Sequence, residues 1–291
     1  MSSQLVWLIT GTSTGLGRDL TLLTLKRGDK VIATTRGRSL AKLDDLKAQG
    51  ADTLELDVTW PLEKLQQVMK EAVEIHGRID VLVNNAGYFL VGALEENSPE
   101  ETLQQFNANV FGALNVTRAV LPHMRARKSG TIVWAGSIVG WHALANAGVY
   151  AASKAAVRSL SETLHAEISP IGLRSICIDF GYFRTAFLNS EHRMPHLGKI
   201  SDYKEVTEEY ERALQEYNGK QPGDPIRGCQ VILDLVRDEG IVKGKGAAVP
   251  TNLQLGSDTY NTVKPILEKH IKVMEDWKDV TLSTDFPEGE K

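Results

Sequence analysis

The sequence predicts a doubly wound α/β fold built on a parallel sheet. Short runs of β-branched and other apolar residues alternate with amphipathic stretches of helical length. The apolar runs are continuous, which is typical of strands that crossover helices cover on both faces. No linker rich in Pro, Gly or Ser and no repeat of fixed period divides the chain, so we interpret residues 1–291 as one domain.

The predicted elements follow one another in a β-α-β rhythm. Strands are predicted at residues 5–10, 31–35, 53–56, 79–84, 131–135 and 174–179, with a weaker last strand at 247–249. Helices are predicted at residues 16–26, 62–75, 150–168 and 258–277, and in a long segment that ends near Met124. The rhythm weakens at 186–223, where a charged, mostly helical stretch (202–217) replaces a short loop. Because long insertions after a strand commonly bind ligands, we interpret 186–223 as a substrate lid and 255–291 as a C-terminal helix and tail.

Composition and charge argue against several kinds of partner and site. The 33 basic and 37 acidic residues leave a formal charge of -4, which offers no surface for nucleic acid. No stretch approaches the ~20 apolar residues of a membrane span, and the first residues lack a signal core, so we expect a cytoplasmic protein. Cys177 and Cys229 are too few for a disulfide framework, and His192 and His196 lack a spaced carboxylate partner, so we expect no metal site.

A glycine-rich turn follows the first predicted strand and opens the first predicted helix. It reads Thr10-Gly11-Thr12-Ser13-Thr14-Gly15-Leu16-Gly17. Glycines let a backbone approach a pyrophosphate closely, and the N-terminal amides of the helix favour an anion. A tight turn without a ligand is the alternative, but a strand before and a helix after it favour a dinucleotide site of Rossmann type. The expected contacts of this turn are Gly11, Ser13, Thr14, Leu16 and Gly17.

The end of the second predicted strand indicates which dinucleotide is bound. It reads Thr34-Thr35-Arg36-Gly37-Arg38 and lacks the carboxylate that would bind the ribose hydroxyls of NAD(H). Arg36, with or without Arg38, can pair with a 2'-phosphate, so the residues favour NADP(H). Two solvated surface arginines are the alternative. Asp57, after the third strand, is a candidate acceptor for the adenine amino group, or else a turn or helix-cap residue.

A tyrosine and a lysine lie four residues apart on a predicted helix. Tyr150 and Lys154 therefore project from one face and can share a substrate. A tyrosine near its ordinary pKa is a poor base at neutral pH, and a nearby ammonium is expected to lower that pKa. Such pairs also occur by chance on helices, where they are merely solvated, so the pair needs supporting context.

Polar residues after neighbouring strands supply that context. Ser137 follows the strand at 131–135, at the carboxyl edge of the sheet where doubly wound folds bind ligands, and its hydroxyl can bind a reacting oxygen. Asn84-Asn85-Ala86-Gly87 follows another strand. Asn109 lies on an otherwise apolar side of a helix, where it either holds a local distortion and an ordered water, giving a proton path toward Lys154, or is a satisfied core amide.

Taken together, these motifs resemble the short-chain dehydrogenase/reductase family in its single-domain branch. Residues 10–17 are similar to its TGxxxGxG turn and residues 84–87 to its NNAG motif. The catalytic tetrad of the family has counterparts, in order and with similar intervals, in Asn109, Ser137, Tyr150 and Lys154. The resemblance covers about residues 5–249. One departure stands out, because the family usually has Pro-Gly where this chain has Phe180-Gly181, which puts the direction in which the lid leaves the sheet in question.

The resemblance implies which residues hold the cofactor and how the chain assembles. Beyond the turn and Arg36, the implied cofactor contacts are Asp57, Val58, Asn85, Ala86, Gly87, Tyr150, Lys154, Gly181, Phe183 and Thr185. It also implies a homodimer or homotetramer. Residues 255–258, Trp277 and residues 283–286 are similar to a microbial and fungal subgroup resembling retinol and 17β-hydroxysteroid dehydrogenases, which names no substrate.

The expected activity is transfer of a hydride between NADP(H) and a carbonyl or secondary alcohol of a small apolar substrate. Tyr150 would be the acid/base, Ser137 would orient the oxygen, and Lys154 would bind the nicotinamide ribose and, with Asn109 and water, resupply the proton. Reduction of a ketone or aldehyde is the favoured direction, because cellular NADP pools are kept reduced. The candidate apolar wall of the substrate site, equally consistent with core or lid packing, is Trp141, His142, Leu144, Tyr182, Phe183, Phe187 and Leu188.

Two other functions are consistent with the same fold. A binding protein could sense NADP(H) without turnover, although the complete tetrad argues against it. An epimerase or dehydratase that retains its cofactor is the second alternative.

Overall fold

The computed structural model describes residues 4–189, 193–194, 198–245 and 249–286. Its strands are β1 (Val6–Thr10), β2 (Lys30–Thr35), β3 (Asp52–Glu55), β4 (Val81–Asn84), β5 (Phe89–Leu90), β6 (Gly130–Ser137), β7 (Leu173–Phe180), β8 (Arg193–Met194) and β9 (Asn252–Leu255). Its α-helices are α1 (Gly15–Lys26), α2 (Asp44–Ala48), α3 (Leu62–His76), α4 (Pro99–Phe106), α5 (Ala113–Arg127), α6 (Gly148–Ile168), α7 (Lys204–Tyr217), α8 (Pro225–Arg237), α9 (Ser257–Asp276) and α10 (Lys278–Leu282).

Seven of the described strands form one parallel sheet in the order β3-β2-β1-β4-β6-β7-β9. The chain winds outward in one direction from β1 to β3 and then returns to β4 on the other side of β1. This reversal of strand order is the feature that defines a doubly wound sheet, and it opens a crevice at the carboxyl ends of β1 and β4. The predicted α/β fold of Rossmann type is therefore confirmed.

Two apolar cores lie on opposite faces of the sheet. Successive strand residues point to opposite faces, so Leu8 joins one core while Trp7 and Ile9 join the other. The first core packs under α3, α5 and α6, and the second under α1, α2 and α8. Both faces are thus covered, which explains why the strands are continuously apolar in sequence.

The long helix predicted to end near Met124 contains a local distortion. It begins as α4, widens into a π-helical turn at Asn107–Gly112, and continues as α5. A cap explains where it starts, because Ser98 and Glu101 form a capping box and Pro99 occupies the first helical position. The π-helical turn contains Asn109, as the hypothesis of a helix distortion expected.

Several elements differ from the sequence expectation. The last strand is β9 at Asn252–Leu255, and the predicted strand at 247–249 falls partly on Ala247 and Ala248, which lie outside the described residues. Helix α8 was not anticipated, although Asp224 caps it and Pro225 begins it. The short pair β5 and β8 was also missed. Among the described residues, none of the helices combines the length and apolar character that a membrane crossing requires.

Candidate active site

A cavity of about 1060 Å³ lies along the carboxyl edge of the sheet. It runs past the ends of β1, β2, β4, β6 and β7, in the position where open α/β sheets bind ligands. The predicted site residues that line it are Gly11, Ser13, Thr14, Leu16, Arg36, Asp57, Val58, Asn85, Ala86, Gly87, Ser137, Tyr150, Lys154, Gly181, Phe183 and Thr185. Gly17 and Asn109 do not line it, and each packs directly behind residues that do.

The glycine-rich turn is tied to the turn after β4. The Thr10 hydroxyl accepts hydrogen bonds from the backbone amides of Asn85 and Ala86, both at 3.0 Å. The side-chain amide of Asn85 donates in return to the carbonyls of Thr10 at 2.9 Å and Gly11 at 3.0 Å. The two turns therefore form one rigid wall of the cavity, in which the amide of Asn85 holds the backbone of the glycine turn.

Two glycines of this wall are required by close packing. Gly11 has a φ of +72°, and a Cβ there would lie 2.9 Å from the Cα of Ala86. Gly17 is buried in α1, where a Cβ would lie 2.6 Å from the carbonyl oxygen of Gly11 and closer still to the amide nitrogen of Asn85. Gly17 therefore supports the turn from behind and does not itself line the cavity.

The N-terminus of α1 opens into this cavity. In the described chain the N-cap residue Thr14 makes no side-chain hydrogen bond to the first turn, and that turn holds no acidic residue. Its amides and the positive end of the helix dipole therefore favour an anion. A glycine cradle against a helix N-terminus of this kind fits the pyrophosphate of a dinucleotide.

The far end of the cavity is basic. Arg36, Arg38 and Lys42 all line it, and neither arginine forms an ion pair within the part of the chain that the structure describes. Desolvation and the neighbouring charge of Arg38 both lower the pKa of the Arg36 guanidinium. Two like charges held together at one end of a cavity favour an anionic group there. Asp57 lines the same end, but one of its carboxylate oxygens accepts from the backbone and hydroxyl of Thr59, so it is at least in part a turn residue.

Ser137, Tyr150 and Lys154 come together at the other end. Ser137 ends β6, while Tyr150 and Lys154 lie in the first two turns of α6, and all three side chains are buried. The Tyr150 phenol lies beside the Ser137 hydroxyl, and both residues line the cavity. The ammonium of Lys154 lies 5.6 Å from the centre of the Tyr150 ring and donates to the carbonyl of Ala135 at 2.6 Å.

The electrostatics of this trio differ from the sequence expectation. Burial raises the pKa of Tyr150, and the neighbouring Ser137 hydroxyl opposes this only in part. The predicted lowering of the Tyr150 pKa is therefore wrong for this geometry, because burial of the phenol is the largest effect. Burial lowers the pKa of Lys154 itself to about 8. Tyr150 is thus a neutral phenol at pH 7, the form that can donate a proton.

Asn109 is a satisfied amide behind the site. Its side-chain oxygen accepts from the backbone amide of Tyr88 at 3.1 Å, and its nitrogen donates to the Tyr88 carbonyl at 3.1 Å and to Ser153 at 3.3 Å. A Cβ on Gly87 would lie 2.9 Å from the side-chain oxygen of Asn109. Asn109 therefore clamps the strand after the NNAG turn to α6, the core-amide alternative that the sequence left open.

Sequence reasoning placed Asp179 only at the end of a strand. Its carboxylate is fully buried and accepts from the Ser137 backbone amide at 3.1 Å, the Trp141 indole at 2.7 Å and the Asn252 amide at 2.8 Å. It therefore fixes the end of β6, which carries Ser137, and the turn that follows it. An acidic residue closing the apolar run of β7 was the signal that could have identified it, since carboxylates are rarely buried without partners.

The segment after β7 departs from Pro-Gly but keeps a tight geometry. A Cβ on Gly181 would lie 2.5 Å from the Thr259 hydroxyl and closer to Asp258. The backbone amide of Tyr182 donates to Asp258 at 2.6 Å. The first turn of α9 thus packs against the residues that leave the sheet toward the predicted lid, and it fixes their direction in place of a proline.

The predicted apolar wall divides into two groups. Tyr182, Phe183, Phe187 and Leu188 line the cavity, whereas Trp141, His142 and Leu144 do not. Trp141 instead stacks on the Arg158 guanidinium at 3.6 Å. Residues that sequence reasoning missed in the same wall include Phe89, Ile138, Val139, Arg193, Tyr210 and Gln221. The rings of Phe89 and Phe187 lie 4.8 Å and 6.0 Å from the ring of Tyr150, so the surroundings of the phenol are aromatic.

A buried cation, the Arg193 guanidinium, holds the described parts of the segment at 186–223 together. The Arg193 guanidinium forms an ion pair with Glu211 of α7 and donates to the Leu188 carbonyl at 2.9 Å. Strand β8, which contains Arg193, pairs with Phe89–Leu90. The described part of this segment therefore packs over the aromatic end of the cavity. His192 and His196, for which we expected no metal role, lie outside the described residues.

The fold and this crevice define a protein of Rossmann type. The family model for short chain dehydrogenases matches residues 5–195, and the chain belongs to that family, as an oxidoreductase of the short-chain dehydrogenase type. An oxidoreductase of Botryotinia fuckeliana is 29% identical over 281 residues, which are 96% of this chain and 98% of that protein. A short-chain dehydrogenase from Streptomyces avermitilis matches with a TM-score of 0.85 and 34% identity, over 98% of this chain and 100% of that chain. An actinorhodin polyketide ketoreductase determined with NADPH matches with a TM-score of 0.72 and 28% identity, over 90% and 100%.

Proposed function

We propose that this chain is an NADP(H)-dependent reductase of ketones or aldehydes on small apolar substrates. The observation that carries the proposal is the neighbouring hydroxyls of Ser137 and Tyr150, which line an aromatic cavity continuous with the glycine cradle. The similar ketoreductase was determined with NADPH, which supports the same cofactor here. We also propose that residues 186–223 are the substrate lid of a single domain.

Each residue of the site has a distinct part in this reaction. The nicotinamide, when bound, supplies the hydride. Ser137 holds the carbonyl oxygen, and Tyr150, which is a neutral phenol at pH 7, donates its proton to that oxygen. Lys154, whose ammonium lies 5.6 Å from the centre of the Tyr150 ring, would hold the nicotinamide ribose and would return a proton to Tyr150. Asn109 acts through its clamp on Tyr88 and keeps the wall beside α6 in place.

The basic end of the cavity supports the choice of NADP(H). A 2'-phosphate placed there would neutralise the like charges of Arg36 and Arg38. We expect Arg36→Ala to weaken NADPH binding by roughly 10- to 100-fold, the range for a hydrogen bond to a charged group, and to leave NADH binding nearly unchanged. Fluorescence titration with both cofactors measures this, and Arg125→Ala, at an exposed position on α5, is the control. Equal losses for both cofactors would contradict a 2'-phosphate contact.

Consumption of NADPH with a panel of ketones, aldehydes and quinones tests the reaction itself. We expect turnover by the wild type and a loss of at least about 100-fold in kcat for Tyr150→Phe, because the general acid is removed while the ring remains. Tyr260→Phe, at an exposed tyrosine of α9, should leave kcat unchanged. Tight binding of NADPH without turnover on any substrate would favour a cofactor-sensing protein, and full activity of Tyr150→Phe would overturn the role of the phenol.

A further inference from the structure

The C-terminal helix projects from the rest of the chain. Val263 is buried, but every described residue from Lys264 to Phe286 is exposed except the partly buried Ile266. Helix α9 has 20 residues, a length of ~30 Å, and α10 extends it. A helix that is exposed all round usually carries polar residues on every face, and this one does not.

One broad face of this helix is apolar. Leu267, Ile271 and Met274 are spaced by four and three residues and therefore lie on one stripe, with exposures of 44%, 61% and 71%. Other large apolar side chains exposed along α9, α10 and the residues after them are Tyr260, Val273, Trp277, Val280, Leu282 and Phe286. Tyr260, seven residues before Leu267, lies on the same stripe, and Trp277, three residues after Met274, borders it, whereas Val273 lies on another side of the helix. The stripe and these two aromatic side chains present on the order of 600 Å², the upper end of what monomers expose. We call this surface, made of Tyr260, Leu267, Ile271, Met274 and Trp277, the α9 face.

The charges beside the α9 face are unevenly distributed along the helix. In the first half, three lysines against Glu268 leave a net charge of +2: Lys264, Lys269 and Lys272. In the second half, three acidic residues against Lys278 leave -2: Glu275, Asp276 and Asp279. The net charge over residues 264–282 is therefore zero. This balance offers no electrostatic attraction to an anionic lipid surface, which amphipathic membrane helices generally have.

We infer that the α9 face binds the α9 face of a second copy of this chain, with the two helices antiparallel about a two-fold axis near Ile271. An antiparallel pair places the basic half of each helix beside the acidic half of the other. A parallel pair would place like charges together along the whole contact. Two-fold contacts are self-complementary by symmetry, which is what one patch with opposite charges at its two ends provides.

The area is also sufficient for a stable dimer. A standard protein interface buries about 800 Å² on each partner, of which a little more than half is apolar, and the α9 face offers on the order of 600 Å² of apolar area. The intrahelical ion pairs Lys264–Glu268 and Lys272–Asp276 are exposed and each contributes little, so they do not compete strongly with contacts to a second copy. The contact is independent of the proposed reaction and can be tested without an activity measurement.

Light scattering of the full chain during gel filtration tests the pairing. Ile271→Lys with Met274→Lys places two charges in the centre of the α9 face, and we expect the particle mass to fall to half that of the wild type, with a dissociation constant raised roughly 100-fold or more. Ile241→Lys, at an apolar residue that is 66% exposed elsewhere, should keep the wild-type mass. Circular dichroism confirms that the variants are folded. An unchanged mass for the double variant would overturn the proposal.

Charge reversal tests the antiparallel direction. Lys264→Glu, Lys269→Glu and Lys272→Glu in one chain, or Glu275→Lys, Asp276→Lys and Asp279→Lys in another, should each halve the mass. All six changes in the same chain restore opposite charges only in an antiparallel pair, so the mass should return to the wild-type value. A six-fold variant that stays at half mass would overturn the arrangement.

Sedimentation with vesicles of phosphatidylcholine and phosphatidylserine tests whether lipid occupies the face instead. If the wild type were monomeric and bound these vesicles through the α9 face, the face would be assigned to lipid and the proposed pairing would be overturned.

Discussion

At the scale of single residues, the buried carboxylate of Asp179 determines where the hydroxyl of Ser137 lies. It accepts hydrogen bonds from three places in the chain: the backbone amide of Ser137 at the end of β6, the indole of Trp141 and the amide of Asn252 on β9. All of these partners are donors, so an acceptor-only group suits the site. Asp179 touches no reacting atom and is therefore a positioning residue for the proposed reaction.

Replacing Asp179 with asparagine tests this positioning. Asp179→Asn keeps the shape but turns an NH2 group toward donors, leaving at least one of them unpaired at a cost of ~1–3 kcal/mol in unfolding free energy. Because the end of β6 at Ser137 would shift, we expect kcat to fall about 10-fold or more while the Kd for NADPH changes little. Steady-state kinetics and NADPH titration measure the two effects separately. Equal losses in kcat and NADPH affinity would indicate a general loss of structure instead.

The buried ammonium of Lys154 makes stability depend on pH. Its pKa is lowered by burial from 10.5 to about 8, so between these values the unfolded chain binds a proton that the native chain does not. The unfolding free energy therefore rises with pH across this window, by roughly 3 kcal/mol, and is lowest below about pH 8.

We therefore expect Lys154→Met to be more stable than the wild type at pH 7. Removing the buried charge gains roughly 3 kcal/mol, and losing the hydrogen bond to Ala135 costs ~1 kcal/mol, which leaves a net gain of about 2 kcal/mol. The gain should shrink as the pH rises from about 8 toward 10.5. Urea unfolding of both proteins across this range is the measurement. A difference that does not vary with pH would mean that Lys154 titrates normally in the folded chain.

Single residues of the site differ in how far the sequence predicts them. The glycine turn, Ser137, Tyr150 and Lys154 have local signals in strand ends and helical spacing, and the structure brings them to one cavity. The partners of Lys154 and Asp179 have no such signal. Their carbonyl and amide partners come from strands that become neighbours only in the sheet, so the direction of the Tyr150 pKa shift could not be derived from a spacing of four residues.

At the scale of elements, α1 and the turns after β1 and β4 behave as one unit. The contact runs through Gly17, where any side chain would meet both the Gly11 carbonyl and the Asn85 amide. Alanine normally stabilises a helix interior by ~1 kcal/mol relative to glycine, whereas overpacking costs ~1–3 kcal/mol. Overpacking dominates here because the opposing atoms include backbone that is held in place by further hydrogen bonds.

Gly17→Ala should therefore lower the unfolding free energy by about 1–2 kcal/mol and also weaken NADPH binding, because the turn must shift. The matched control is Gly198→Ala, where a Cβ meets nothing within 4 Å and φ is ordinary. Thermal unfolding with and without NADPH reports both effects. A Gly17→Ala chain with wild-type stability and a wild-type response to NADPH would show that the turn can relax at no cost.

Helices and strands could be predicted where the residues of the element itself carry the sequence pattern. Continuous apolar strands identified six of the seven strands of the large sheet. Strand β9 differs, because its residues are only partly buried at the sheet edge and its alignment comes from pairing with β7. The two-residue strands β5 and β8 exist only through each other and carry no periodic signal. Helix α8, by contrast, has a cap at Asp224 and a proline at its first position. Its start is therefore marked by a local signal in the sequence.

At the scale of the whole molecule, α9 connects the cavity with the proposed contact between two copies. Its first turn holds the residues that lead from β7 toward the proposed lid, since Asp258 accepts from the backbone of Tyr182, a residue of the cavity wall. Its later turns carry the α9 face. Val263 is the last buried residue between these parts, so the helix separates into a buried base and an exposed arm.

This separation leads to opposite outcomes for two variants. A chain that ends at Val263 keeps the hydrogen bond of Asp258 and the buried base, so we expect kcat/KM per subunit within about twofold of the wild type but half as many subunits per particle. Asp258→Ala keeps the arm but leaves the Tyr182 amide without its acceptor, at a cost of ~1–3 kcal/mol, so we expect the wild-type mass and a fall of about 10-fold in kcat/KM. Kinetics and light scattering on the same samples separate the two effects. If the shortened chain lost activity in proportion to its loss of mass, the arm would act on the site through assembly, and the base alone would not be sufficient to hold the lid segment in place.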